Sequence, residues 1–188
     1  SEHFSIWSLI KNSSEANIDK IIITASGGPF LNKSYKQLKK IKPSDAIKHP
    51  NWKMGKKISV DSATLMNKVF EVIEAKNIFG ISYDKISILT HPKSYVHTII
   101  KFKNGLSKLL IHEPNMTIPI YNSIYVEENK NISSNPLDFK ILNDLNLQKV
   151  EKNKFPLVGL LEKLPKYSSL FETVLITVND YLVYKFLD

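Results

Sequence analysis

The strongest constraint in this sequence is a helical period between Ala63 and Phe79, where Leu65, Val69, Val72, Ile73 and Phe79 fall on one side of the turn. Such a stripe has to be buried against other elements, so the chain predicts a layered domain rather than an extended or disordered polymer. Asp61 or Ser62 is a fair N-cap for this helix. The elements around it are short. Asp19 to Thr24 reads as a buried, β-branched strand halted at Gly27-Gly28. Lys57 to Val60 and Lys85 to Leu89 are strand-like, and 94–102 with 106–112 form a hairpin through Asn104-Gly105, a strong short-range hairpin signal. Residues 4–10 suit a short helix, 31–48 are Lys-rich and partly helical, and 49–55 form an aperiodic loop. A polar connection with a short strand or two spans 125–155. From Phe155-Pro156 the chain turns helical again, with Val174, Leu175, Val178, Tyr181, Leu182 and Lys185 spaced by three or four. The expected fold class is α+β: a mixed or antiparallel sheet packed on helices with a mobile loop, then a mostly helical C-terminal segment. Boundaries are expected at 1–124, 125–155 and 156–188.

Composition removes several function classes. The chain contains no Cys, which excludes a thiol nucleophile, a disulfide scaffold and a cysteine zinc site. No apolar run approaches the ~20 residues of a membrane span, so no membrane partner is expected. Of 26 basic residues every one is Lys, giving a formal charge of +8. Phosphate recognition therefore has to use ammonium groups, hydroxyls, amides and backbone N–H groups rather than a guanidinium fork. The Lys residues are scattered, with adjacent pairs only at Lys39-Lys40 and Lys56-Lys57, and so form no nucleic-acid stripe. The opening at Ser1 and the uncapped end at Asp188 lead us to expect a piece of a longer protein.

Three segments carry polar groups that packing alone does not explain. In Thr24-Ala-Ser26-Gly27-Gly28-Pro29 a strand ends in a hydroxyl and two glycines, which can approach an anion closely; an ordinary turn is the competing reading. In Asp61-Ser62-Ala-Thr-Leu-Met-Asn67-Lys68-Val-Phe-Glu71, helical spacing puts Asn67, Lys68 and Glu71 on one side, opposite the apolar stripe. Ser62 is expected at the helix start, where the dipole favours an anion, so that a hydroxyl, an amide and an ammonium make a phosphate pocket. The alternative is an exposed Lys–Glu pair of little energetic value. The third segment is Ser1-Glu2. If Glu71 meets Glu2, two carboxylates beside a phosphate ester form a site for Mg2+ or Mn2+. Between these segments, His49 and Trp52 lie in a Pro- and Gly-bearing loop suited to a lid. His3, His91, His97 and His112 read as structural.

Taken together, Ser1-Glu2-His3, Ala25-Ser-Gly-Gly-Pro-Phe30, His49-Pro-Asn-Trp-Lys-Met-Gly-Lys-Lys57, Ile58-Ser-Val-Asp-Ser-Ala-Thr-Leu-Met-Asn-Lys68 and Glu71-Val-Ile-Glu-Ala75 resemble the 1-deoxy-D-xylulose 5-phosphate reductoisomerase family, in order and in spacing. Weaker echoes occur at His91-Pro-Lys-Ser94 with His97, at Pro114-Asn-Met116 with Pro119, at Phe155-Pro156 and at Thr173 to Asp180. The resemblance implies an enzyme of non-mevalonate isoprenoid synthesis that uses NADPH and a divalent metal, Mg2+ or Mn2+. It would rearrange 1-deoxy-D-xylulose 5-phosphate, a small phosphorylated sugar, and reduce the product to 2-C-methyl-D-erythritol 4-phosphate. The family's roles then fall on Glu2 and Glu71 as metal ligands that also meet substrate, and on Ser1 as substrate-binding. Ser26, Ser62, Asn67 and Lys68 would hold the phosphate and polar end. His49 would be the lid histidine, Trp52 and Met54 would cover the pocket, and Gly55 would lie against the cofactor.

The resemblance further implies a homodimer in a bacterial cytoplasm or a plastid-type organelle, without a nucleic-acid partner. It also implies that a Rossmann domain, a third acidic metal ligand just before Ser1 and a substrate-binding lysine lie upstream of this chain. On that reading residues 1–124 are the catalytic domain and 156–188 the start of a helical one, and the 188 residues by themselves are expected to be inactive. The alternative is a relative that keeps the phosphate pocket without catalysing reduction.

Overall fold

A computed structural model describes the chain except residues 15–16, 51–52, 127–129 and 168. Five strands form one sheet: β1 (Ile18–Ala25), β2 (Ile86–Thr90), β3 (Val96–Phe102), β4 (Ser107–Ile111) and β5 (Gln148–Lys149), ordered β4-β3-β1-β2-β5. β1 lies at the centre. It pairs in parallel with β2, matching Ile21 to Ile86 and Ala25 to Thr90, and antiparallel with β3, matching Ile21 to Ile100. The α+β class with a mixed sheet is therefore as expected, and the hairpin closes at Gly105, whose φ of +88° suits glycine.

The helices named below are α1 (Glu2–Ile10), α2 (Tyr35–Leu38), α3 (Pro43–Ala46), α4 (Lys56–Ala63), α5 (Met66–Phe79), α6 (Thr117–Ile124), α7 (Phe139–Asn143) and α8 (Phe171–Leu187). Period-two alternation sends Ile21 and Ile23 of β1 and Ile100 and Phe102 of β3 to one face of the sheet, where Ile6 and Ile10 of α1 and Val69, Val72 and Ile73 of α5 cover them. Each such Ile or Val removed from water contributes about 1.5–3 kcal/mol. On the opposite face Lys20 and Lys101 are exposed and Ile22 and Ile99 are half-buried, so that face is less covered than the first. Phe155 and Val158, at the start of a 3-10 segment over Pro156–Lys163, join the same core.

Two expectations need correction. Lys57 to Val60 is not a strand but part of α4, whose Val60 and Ala63 pack with Phe30, Ala46 and Val183 in a second apolar cluster. Nor does one helix begin at Ser62: α4 ends at Ala63, and α5 starts only after Leu65, which adopts φ +60°. A left-handed leucine costs about 1–2 kcal/mol. Leu65 is 1% exposed, and its burial offsets that cost. Thr64 supports the break, since its hydroxyl donates to Val60 O and accepts from the Met66 N–H. α5 then closes on Gly80 at φ +65°, a left-handed C-cap.

In α8 the inward contacts come from Glu172, Leu175, Asn179 and Val183. Of the six residues that carry the helical period, Val174, Val178, Tyr181 and Leu182 are exposed, whereas Leu175 packs on the core.

Candidate active site

The first turn of α1 and the first two turns of α5 meet above the ends of β1 and β3. Glu2 sits at the start of α1, and its carbonyl accepts from Thr98 Oγ1 of β3. On α5, the turn imposed by Leu65 aims Asn67, Lys68 and Glu71 at Glu2. Lys68 Nζ lies 2.6 Å from Glu2 Oε1 and 2.7 Å from Glu71 Oε2, and Asn67 Nδ2 donates to Glu71 Oε1 at 2.6 Å. Ser1 Oγ donates to the other Glu2 oxygen at 2.5 Å. All three charged groups are largely buried, so this is not the exposed Lys–Glu pair of the alternative reading.

Two acids and one ammonium leave a negative charge in excess, and burial and neighbouring charge act on each group differently. Burial opposes ionisation of Glu2, but the Lys68 ammonium outweighs it and holds that carboxyl far below the usual range. Glu71 is pushed up to about 8, first by burial and then by the negative charge of Glu2. Burial would lower Lys68, yet the two carboxylates hold it above its ordinary value. Burial and the Glu2 charge thus both favour the protonated form of Glu71, the direction in which a buried cluster with excess negative charge relaxes.

Two carboxylates reaching one cationic centre are the donor set that a hard divalent ion takes. Both contact the same nitrogen, so the two carboxyl groups converge on one point. Among the described residues no group of three His, Cys, Asp or Glu side chains is placed to hold a metal, so Glu2 and Glu71 offer part of a coordination shell.

A cavity of about 460 Å³ opens beside the trio. Ser1, Glu2, Ser26, His49, Met54, Ser62, Asn67, Lys68 and Glu71 line it, which brings together most of the residues singled out from the sequence. Gly55 is not among its lining residues; it N-caps α4 and stands beside Met54. Trp52 lies outside the described residues. Ser26 Oγ is 3.0 Å from His49 Nε2, and burial, then the Lys68 charge, lowers the His49 pKa. Ser62 occupies the last turn of α4, not a helix start, so the dipole argument fails there and Ser62 offers a hydroxyl only.

The lining also includes residues to which the sequence reading assigns no binding role, and His3 and His97 among them read as structural. Thr24, Ser94, His97 and Met116 reach the cavity, as does His3, whose Nε2 lies 3.2 Å from Glu74 and 3.3 Å from the Glu71 carbonyl. His97 stacks on His112 with ring centroids 3.7 Å apart, and burial, reinforced by that neighbour, lowers it to about 4. Ser94 takes φ +51°, an uncommon conformation for serine. Its signal was the His91-Pro92-Lys93-Ser94 turn, which only the family resemblance marked.

Comparison with known proteins identifies the family of the whole chain. Residues 1–79 match the family model described as the 1-deoxy-D-xylulose 5-phosphate reductoisomerase C-terminal domain, and residues 111–188 match the DXP reductoisomerase C-terminal domain. The chain is 57% identical over its whole length to a 1-deoxy-D-xylulose 5-phosphate reductoisomerase of Pelagibacter ubique, of which it covers 48%. It superposes over its whole length on 48% of a DOX-P reductoisomerase solved with NADPH, fosmidomycin and magnesium, at a TM-score of 0.90 and 33% identity. The Zymomonas mobilis enzyme solved with NADPH gives a TM-score of 0.89 at 33% identity, again with 48% of that chain covered. The chain thus spans about half the length of the curated relatives it matches. The two family matches take in most of its residues and the likeness runs from end to end: the chain belongs to the 1-deoxy-D-xylulose 5-phosphate reductoisomerase family.

Proposed function

We propose that this chain carries the metal- and substrate-binding part of a 1-deoxy-D-xylulose 5-phosphate reductoisomerase, converting that sugar phosphate to 2-C-methyl-D-erythritol 4-phosphate with NADPH. The observation that carries the reading is the meeting of Glu2 and Glu71 on one cationic centre inside the cavity. Bound Mg2+ or Mn2+ supplies Lewis acidity to the substrate oxygens, and NADPH supplies the hydride.

The chain's own residues do the rest. Glu2 and Glu71 hold the cation, with Ser1 fixing the Glu2 carboxylate. Ser26, Ser62, Asn67 and Lys68 bind the phosphate and polar end, and anchoring there orients the reacting carbons. His49, neutral at physiological pH and bonded to Ser26, adds one donor from the lid, where Met54 excludes water and Gly55 neighbours the cofactor. We assign the assembled enzyme to the cytoplasm as a homodimer, and assign 1–124 to the catalytic unit, 125–155 to a connection and 156–188 to a helical unit; these assignments rest on the sequence resemblance.

Titration with Mn2+, read by electron paramagnetic resonance, tests the metal site. Glu71→Gln is expected to weaken binding by about 10–100-fold. Glu74→Gln, on the next turn and half exposed, should leave it nearly unchanged. Equal effects would contradict the assignment.

A further inference from the structure

Helix α4 uses two neighbouring faces for different purposes. Ile58 and Ser62 line the cavity. Lys57 and Asp61, each one residue earlier, are tied to α8. Lys57 Nζ lies 2.8 Å from Asp61 Oδ2 and 2.8 Å from Asp180 Oδ1, while Asn179 Nδ2 donates to Asp61 Oδ1 at 2.8 Å. Asp61 is 2% exposed, and a partner on each of its oxygens is what keeps a carboxylate tolerable there. The same end of α4 rests on the turn after β1: a Cβ added to Gly28 would stand 2.6 Å from the Ser62 carbonyl oxygen. Moving α4 therefore moves Ser62 relative to Ser26 and to its partner His49. Among the described residues, none of α8 lines the cavity.

We propose that Asn179 and Asp180 are positioning residues which, through Asp61 and Lys57, set where α4 presents Ser62 to a phosphate-bearing ligand. This rests on reading the cavity as a phosphate site. Hydrogen bonds to phosphate oxygens are made over a narrow range of distance, so a helix displaced by a fraction of an ångström loses them although no residue touching the ligand has changed. The clamp joins an element near the end of the chain to the binding hydroxyl. It differs from the other tie of α8, at Glu172, where Ser169, Tyr83 and Lys76 gather near the helix start, about two turns before Asn179.

The test compares Asn179→Ala, Asp180→Asn and Asp180→Glu with Glu172→Gln, measuring the affinity for inorganic phosphate and amide exchange over 59–63. Asn179→Ala and Asp180→Asn should weaken phosphate binding on the order of tenfold and speed exchange in α4. Asp180→Glu, which can rebuild the ion pair, should recover most of both. Glu172→Gln should lower the melting temperature while leaving both unchanged. Because Asp180 is half exposed, its variants keep the test usable if Asn179→Ala fails to fold. Equal weakening by Glu172→Gln, or faster α4 exchange with phosphate affinity intact, would overturn the proposal. Failure of the unsubstituted protein to bind phosphate would instead sink the reading of the cavity; the tie to α4 is then judged by exchange, and exchange unchanged in Asn179→Ala overturns it.

Discussion

Single residues carry the electrostatics of this site. Lys68 is a cation enclosed by two acids, and removing it leaves two buried carboxylates facing each other. Breaking a buried pair in this way costs about 3–5 kcal/mol. Lys68→Met should lose stability of that order in chelator, and millimolar Mg2+ should restore much of it, because a divalent ion can replace the missing charge. Urea unfolding with and without Mg2+ checks this, and a loss indifferent to Mg2+ would separate the acids from the metal. His97 gives a pH signature. Its folded pKa of about 4 lies below the ordinary 6.5, so folding favours the neutral ring. Its contribution is fully present above pH 6.5 and is lost as the pH falls from there through 4. Burial lowers His91 and His112 as well, which steepens the same slope. Melting curves between pH 7 and 4 should therefore fall less steeply in His97→Gln than in the unsubstituted protein.

Elements place those residues by close approach. The turn after β1 can hold α4 against it because Gly28 has no side chain and takes φ +63°. Gly28→Ala would drive a methyl group into the Ser62 carbonyl, so it should both destabilise the fold and weaken phosphate binding. Gly105→Ala offers the contrast. Its φ of +88° is equally unfavourable for alanine, but a Cβ there meets nothing within 4 Å. It should cost about 1–2 kcal/mol by backbone strain while leaving ligand affinity untouched. Parallel measurement of unfolding free energy and phosphate affinity in the two variants separates strain from displacement. The break at Leu65 obeys similar reasoning. A continuous helix from Asp61 would turn Asn67, Lys68 and Glu71 to a different angle about the helix axis, and burial of the Leu65 side chain is what holds the kink.

At the scale of the whole molecule, the residues proposed to hold the cation and the phosphate belong to one sheet-and-helix body, while NADPH binding on our reading needs more than this body supplies. The 188-residue chain should therefore bind Mn2+ and phosphate yet show no NADPH oxidation with the sugar phosphate above background; a measurable rate would refute this. Much of the architecture is legible in the residue order. The β-branched run Ile21-Ile22-Ile23 marks a strand, Asn104-Gly105 closes the hairpin, and the Leu65 to Phe79 stripe marks the face that α5 buries. Such patterns are local, because strand and helix periods and turn conformations are set by neighbours along the chain. The Asn67, Lys68 and Glu71 face could be read for the same reason. The meeting of Glu2 and Glu71 is as expected, but the recruitment of His3, Ser94 and His97, the kink at Leu65 and the grip of α8 on α4 could not be read. Each depends on groups far apart in sequence, and the free energy that decides them, burial against strain and charge against desolvation, exists only once those groups share one interior.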